Sequence, residues 1–366
     1  MLRRAMGKKK PEEMAKHRSI IAEGAKTKGY DPALAEQLFD LMTKFAEYGF
    51  NKSHTAAYAV VSYQTAWLKA HYPSAFMAAT MSSELDNTDQ LRVFYDDSLK
   101  NKLKFLPPDI NHSHYRFVPT DRQHIRYALG AIKGTGEAAV EHLIAEREAH
   151  GPFVDLFDFC RRTDKRIVNR RAIETMIRAG AFDGLDDNRA KLLANVELAM
   201  SLAEQAAANI NQGGLFDDFD DSVAPPVEMK DVPAWSEAQR LAEEKLAIGF
   251  YLSGHPFSAH AATVRRFVKN TLASLSPKKE PQTLAGVVTL VRTKVGSRGK
   301  MAFVQLDDGT AKHDVSLFSE AYEANRHKLR EDALLIVEGK VSYDDFSGGL
   351  RIVVDSVLEL AEAQSR

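Results

Sequence analysis

Residues 129–144, Leu-Gly-Ala-Ile-Lys-Gly-Thr-Gly-Glu-Ala-Ala-Val-Glu-His-Leu-Ile, constrain this chain more than any other stretch. Gly134 and Gly136, with one residue between them, break an apolar run, and a second helix opens at Glu137 with Ala138, Ala139, Leu143 and Ile144 at helical spacing. This is the pattern of a helix-hairpin-helix. The glycines permit φ > 0 and the close approach of another backbone. Backbone N–H groups around such a turn, with the positive end of the following helix, suit a phosphate oxygen. Lys133 adds a full charge, so Lys133, Gly134, Thr135 and Gly136 are candidates for holding a nucleic-acid backbone without reading its bases. The same residues also suit a plain joint between two helices with Gly at a C-cap. This stretch alone does not choose between the two.

The hydrophobic period changes from helical to alternating at about residue 283. Strands are expected over 283–295, 300–307, 314–318, 334–341 and 350–360, with turns at Ser297-Arg298-Gly299, Asp308-Gly309 and Gly348-Gly349 and a helix over 320–330. Five strands with a helix between the third and fourth describe an OB-fold barrel. Its first hairpin carries Arg292, Lys294, Arg298 and Lys300 as candidate DNA contacts. Phe303, Phe318, Tyr343 and Phe346 suit either stacking on a single strand or the barrel core.

Upstream, residues 1–105 read as helical. Pro11-Glu12-Glu13 and Asp31-Pro32 open helices, and Gly49 ends the second. A long apolar helix from about Thr55 to His71 follows, with Ser53 or Thr55 as its N-cap and Pro73 as its stop. Ile125 to Leu129 alternates like a short strand. His112 and His114 have metal-ligand spacing but no third ligand in register, so no metal is expected there. After the hairpin, residues 169–179 form an amphipathic helix exposing Arg170 and Arg171. Gly180-Ala181-Phe182-Asp183-Gly184 makes a second turn, and a helix from Arg189 follows. This pair suggests a second, degenerate hairpin.

Charge is unevenly spread. Residues 1–30 carry nine Lys or Arg against three Glu, and residues 160–171 carry Arg161, Arg162, Lys165, Arg166, Arg170 and Arg171 against Asp164. Residues 217–231 are acidic, with Asp217, Asp218, Asp220, Asp221, Glu228 and Asp231 against Lys230. Such alternation suits a protein that lays chosen surfaces on a polyanion, although each cluster alone also fits a solvated helix face. The single Cys160 excludes an internal disulfide or a CxxC metal site. No apolar run of membrane-spanning length is free of charge, and the start lacks an apolar signal segment.

Residues Leu2-Arg3-Arg4-Ala5-Met6-Gly7-Lys8-Lys9-Lys10-Pro11-Glu12-Glu13-Met14, then Gly49-Phe50-Asn51-Lys52-Ser53-His54, Trp67-Leu68-Lys69-Ala70-His71-Tyr72-Pro73 and Leu106-Pro107-Pro108-Asp109-Ile110-Asn111, resemble the bacterial DNA polymerase III alpha subunits, the C-family replicative polymerases. With the hairpin, the resemblance covers essentially the whole chain. It implies a DNA-directed DNA polymerase of the cytoplasm. Arg3 and Arg4 would contact the triphosphate of the incoming dNTP, and Asn51, Lys52, Ser53 and His54 would lie near the nascent pair. Gln212, Leu215 and Phe216, in a Gln-x-x-Leu-Phe pattern, would bind the beta sliding clamp. Other implied partners are primed template DNA and further polymerase III holoenzyme subunits; no membrane is expected.

The resemblance also places the Mg2+-holding palm carboxylates before the matched region, so no cofactor is expected on this chain and no polymerisation by it alone. A tau-binding C-terminal domain of the family is likewise not matched. The fold expected is α+β and multidomain, with largely helical fingers and hairpin regions followed by an all-β OB barrel. Its parts are fingers over 1–105, a duplex-binding hairpin region over 106–208, an acidic clamp-binding linker over 209–232, a helical connector over 233–282 and the barrel over 283–366. Two alternatives are a non-catalytic clamp-tethering accessory, which the fingers-like residues oppose, and the error-prone polymerase paralogue, which the Gln-x-x-Leu-Phe and Gly-Phe-Asn-Lys-Ser-His motifs oppose.

Overall fold

A computed structural model describes residues 11–48, 52–211, 229–296, 299–344 and 348–365, and its contacts divide into two units that meet between Phe76 and Met77. The first unit contains helices α1 (Pro11–Thr27), α2 (Pro32–Tyr48) and α3 (Lys52–His71). Proline opens α1 and α2 at the position where its missing N–H costs nothing. The Asp31 carboxylate accepts from the Ala33 N–H at 2.9 Å, and Arg18 of α1 reaches Glu36 and Asp40 of α2 at 3.2 and 3.0 Å. Helix α3 starts at Lys52, earlier than Thr55. Ser53 and Thr55 therefore lie inside it and are not its caps. Pro73 ends α3 and also opens α4 (Pro73–Ser82).

The second unit takes in the end of α4, where Met77, Ala78 and Met81 are buried, and continues with α5 (Thr88–Lys100), capped by the Asn87 side chain on the Gln90 N–H. A three-stranded sheet follows, in which β3 (His124–Arg126) lies between β1 (Lys104–Leu106), parallel to it, and β2 (Val118–Pro119), antiparallel. The expected strand over 125–129 ends at Arg126, because Tyr127, Ala128 and Leu129 turn inward and are fully buried. Then come α6 (Glu137–His150), α7 (Leu156–Arg162), α8 (Arg170–Ala179) and α9 (Arg189–Asn211). Phe153, Phe159 and Phe182 stack in sequence at about 5 Å and form the centre of this helical body. Helices α10 (Glu237–Ile248) and α11 (Ser258–Val264) complete the path to the barrel.

The barrel comprises β4 (Gln282–Gly296), β5 (Gly299–Asp307), β6 (Lys312–Leu317), β7 (Leu334–Tyr343) and β8 (Leu350–Glu359), closed in the order β4-β5-β6-β8-β7. All pairings are antiparallel except β6 with β8. Helix α12 (Ser319–Asn325) separates β6 from β7, and α13 (Leu360–Gln364) follows β8. Alternate residues such as Leu284, Val304, Leu306, Val315, Val337 and Ile352 fill the interior. A second cluster of Phe257, Val264 and Val268 with Ala285, Val287 and Ile336 seals α11 onto the outside.

Candidate nucleic-acid interface

The hairpin forms, but its two arms are unequal. Before the turn there is one 3-10 turn, Leu129–Ala131, where an α-helix was expected. Gly130 is pressed against Tyr115, whose carbonyl accepts its N–H at 3.1 Å, and this anchors the short arm. Only Gly134 takes positive φ, at 78°. Gly136 is extended, with φ −77°, and serves as the N-cap of α6. Lys133, Gly134, Gly136 and Glu137 are exposed, whereas Thr135 is turned in and its Oγ1 meets no partner among the described residues. The Glu137 carboxylate occupies the first turn of α6 and complements the helix dipole there.

Lys133 is held from far away in sequence. Its N–H donates to the Ala247 carbonyl at 2.9 Å, in the last turn of α10. Gly249 caps α10 with φ 102°, and a Cβ there would stand 3.3 Å from Lys133 Nζ. The ammonium therefore rests at the negative end of a helix dipole while staying open to solvent. Nothing near residue 133 announces this seat.

The second turn differs. Gly180 is left-handed, with φ 86°, and the space a Cβ would need is filled by the Arg189 guanidinium. Arg189 is buried and binds Asp183 at 2.6 and 2.8 Å and the Arg178 carbonyl at 3.0 Å. This turn closes on its own arginine, and the expected pseudo-symmetry with the first does not extend to an open backbone cradle.

The basic run over 160–171 likewise resolves into local pairs. Arg162 packs over the Phe153 ring at 4.3 Å and donates to the carbonyls of Glu146 and Gly151 at 2.9 and 2.8 Å. Arg161 pairs with Asp158, Lys165 with Glu204 and Arg166 with Asp164. Hydrogen bonds from Arg166 hold the Asp164 carboxyl down at about 2. Arg170 is divided between Glu174 at 2.7 Å and Glu197 at 3.1 Å. Arg171 is exposed beside it on α8.

On the barrel, Phe303, Phe318 and Tyr343 stand outside the core. Phe303 lies between the inward Ala302 and Val304 and is half-buried, Phe318 is 38% exposed and Tyr343 70% exposed. Arg292 is in register with Phe303 and reaches Asp314 at 2.9 Å. Lys294 and Lys300, in register with Met301 and Val295, are exposed next to the turn of the same hairpin. The β4–β6 face thus combines cations with an aromatic side chain, the two contributions that single-strand binding uses.

Lys52, Ser53 and His54 form the first turn of α3, with the His54 ring 4.4 Å from that of Tyr58. Arg3, Arg4, Asn51, Gln212, Leu215, Phe216, Arg298 and Phe346 lie outside the described residues. His112 lies against Asp109 and His124 against Asp121. Among the described residues no group of three His, Cys, Asp or Glu is placed to hold a metal, and no helix is long and apolar enough to cross a membrane.

Comparison with known proteins matches both of the folds that carry these residues. Residues 102–192 match the helix-hairpin-helix motif family, and residues 282–360 match the OB-fold nucleic acid binding domain family. The DNA polymerase III subunit alpha of Neisseria meningitidis serogroup A is 56% identical over all of this chain. Those of Pseudomonas aeruginosa and Escherichia coli O157:H7 are 46% and 44% identical, again over the whole chain. The chain covers 32%, 33% and 32% of these three relatives, about a third of their length. Identity at this level from the first residue to the last, through both the hairpin and the barrel, makes the chain a member of the DNA polymerase III alpha subunit family.

Proposed function

We propose that this chain is the DNA-gripping portion of a replicative DNA-directed DNA polymerase. The observation that carries the reading is the hairpin at the N-terminus of α6, with Lys133 seated beside it and exposed, in a chain similar along its whole length to DNA polymerase III alpha subunits. In this reading Lys133, Gly134, Thr135 and Gly136 hold the backbone of the primer–template duplex, and Arg170 and Arg171, at the start of α8, add charge from the same helical body. The β4–β6 face of the barrel, with Arg292, Lys294, Arg298 and Lys300, takes the single-stranded template. Arg3, Arg4, Asn51, Lys52, Ser53 and His54 face the incoming dNTP. Arginine suits the triphosphate because its fork stays charged and meets two oxygens at once.

Gln212, Leu215 and Phe216 tether the polymerase to the beta sliding clamp, with two apolar anchors and an amide head. The Mg2+ ions of nucleotidyl transfer belong to palm carboxylates elsewhere in the subunit. This chain supplies grip and tether, and works with the other polymerase III subunits.

Capture of the chain on an immobilised bacterial sliding clamp tests the tether. The parent is expected to bind, and the triple variant Gln212→Ala, Leu215→Ala, Phe216→Ala to lose binding. Equal capture of both proteins would remove the clamp from this account. In the same preparations, primer extension with Mg2+ and dNTPs is expected to be absent; extension would place the chemistry on this chain.

A further inference from the structure

A cleft of about 890 Å³ lies between α5 and the barrel and is not used by the interface described above. Its helical wall is one face of α5, where Arg92, Tyr95, Asp96, Leu99 and Lys100 recur at the i, i+3, i+4, i+7 and i+8 spacing of neighbours on a helix. Its opposite wall is the outer side of the barrel at Thr289, Asp307 and Lys312.

The charges of this cleft are unequally matched. Lys312 holds Asp96 at 2.7 Å, Lys245 holds Asp332 at 2.5 Å, and His255 holds Asp307 at 3.1 Å. Each acid lining the cleft is thereby engaged. Arg92 and Lys100 line it too, and among the described residues neither has an acidic partner within ion-pair distance. Two unneutralised cations, about 12 Å apart along α5, give the cleft a preference for an extended anion.

The cleft also continues into the barrel's outer face. Asp307 and Lys312 are in register across β5 and β6, and the outward positions that follow are Gln305 with Asp314, then Phe303 in register with Arg292. Thr289 in the cleft donates to Gln305 Oε1 at 2.9 Å. Arg292 stands about 10 Å further along β4. The cleft and the Arg292–Phe303 face are thus two ends of one side of one sheet.

We propose that this cleft carries single-stranded DNA as it leaves the barrel's outer face, with Arg92 and Lys100 holding its phosphate backbone. The proposal rests on the reading of the β4–β6 face as a single-strand site. A strand bound only to the barrel hairpin does not reach α5, whereas a longer one crosses both surfaces. Length dependence therefore separates the two.

The test measures binding of oligothymidylates of about 6 and about 20 nucleotides to the parent chain, to Arg92→Ala/Lys100→Ala, and to Arg292→Ala/Lys294→Ala. The α5 variant is expected to keep the parent's affinity for the short oligomer. It should lose about tenfold for the long one at low salt, with the slope of log affinity against log salt shallower by about 1.4, the value for two phosphate contacts on a single strand. The barrel variant is expected to weaken both lengths. Parent-like binding of the long oligomer by the α5 variant overturns the cleft path and leaves the barrel reading standing. Equal weakening of both lengths overturns it as well, since the two cations would then act on the barrel site or the fold. Failure of the parent to bind either oligomer removes the barrel reading together with the cleft. Inclusion of a free dNTP completes the design: a dNTP that binds the parent, displaces the long oligomer and is lost in the α5 variant would make the cleft a mononucleotide pocket, against the proposal.

Discussion

Arg189 shows how a residue can be charged, buried and still structural. Its guanidinium fills the space above Gly180, takes both oxygens of Asp183 and faces Glu244 Oε2 at 3.6 Å, just beyond hydrogen-bond length. Glu244 is fully buried, and its other oxygen accepts the N–H groups of Leu252 at 2.6 Å and Ser253 at 2.8 Å. The pair therefore ties the turn after α8 to the chain that follows α10. Arg189→Met keeps much of the volume and removes the charge, leaving Glu244 buried without its cation. Breaking one side of a buried pair costs about 3–5 kcal/mol. A lower urea midpoint at unchanged slope is the expected result. A change below about 1 kcal/mol would mean that Glu244 is satisfied by its two backbone donors alone.

Among the elements, the hairpin is the one whose worth depends on what seats it. With Lys133 resting at the end of α10 and one phosphate contact to lose, Lys133→Ala is expected to weaken duplex DNA uniformly across sequences. It should also reduce the salt slope by about 0.9. An unchanged slope would place the duplex elsewhere.

The element-level pattern was readable where local rules acted alone. The barrel strands fall within a few residues of expectation because apolar alternation and glycine or aspartate turns punctuate each of them. The start of α6 at Glu137 was equally plain. The short arm before it was not, because Leu129 and Ile132 have apolar spacing that suits a helix, while Gly130 packed on Tyr115 holds them in one 3-10 turn. Nor could sequence show that Arg162 and Arg166 in the basic stretch, and Arg189 beyond it, are consumed by neighbours. A charge run does not name its partners, and these arginines bind carboxylates and carbonyls brought in by the fold. The outward aromatics of the barrel were an open choice that register decided, since Ala302 and Val304 take the interior and leave Phe303 outside.

Across the second unit, aspartates at three separate places are held in the charged form by the fold. Burial raises Asp158, Asp186, Asp307 and Asp308, but in each the hydrogen bonds and cations around it outweigh burial and bring the carboxyl below its ordinary range. Asp158 accepts from the Val154 N–H and from Arg161 and Arg162. Asp307 receives His255, and Asp308 takes the Leu272 and Thr310 N–H groups, the Thr310 hydroxyl and Arg265. An unfolded aspartate titrates near 3.9, above these folded values, so as pH falls the unfolded chain takes up protons first. The stability these carboxylates contribute is therefore complete above about pH 4 and is lost as pH falls through the lowered folded values.

Asp308 is the sharpest test of this linkage, because its side chain is fully buried and joins the segment after α11 to the β5–β6 turn. Asn at 308 keeps one acceptor oxygen but sets an NH2 group against donors and cannot ionise. Urea midpoints between pH 7 and pH 3 should fall steeply in the parent below about pH 4. The Asp308→Asn chain should begin lower and fall less, so that the two curves converge in acid. Parallel curves would mean that Asp308 titrates alike in the folded and unfolded chain, and that the acid sensitivity of the molecule arises from its other carboxylates.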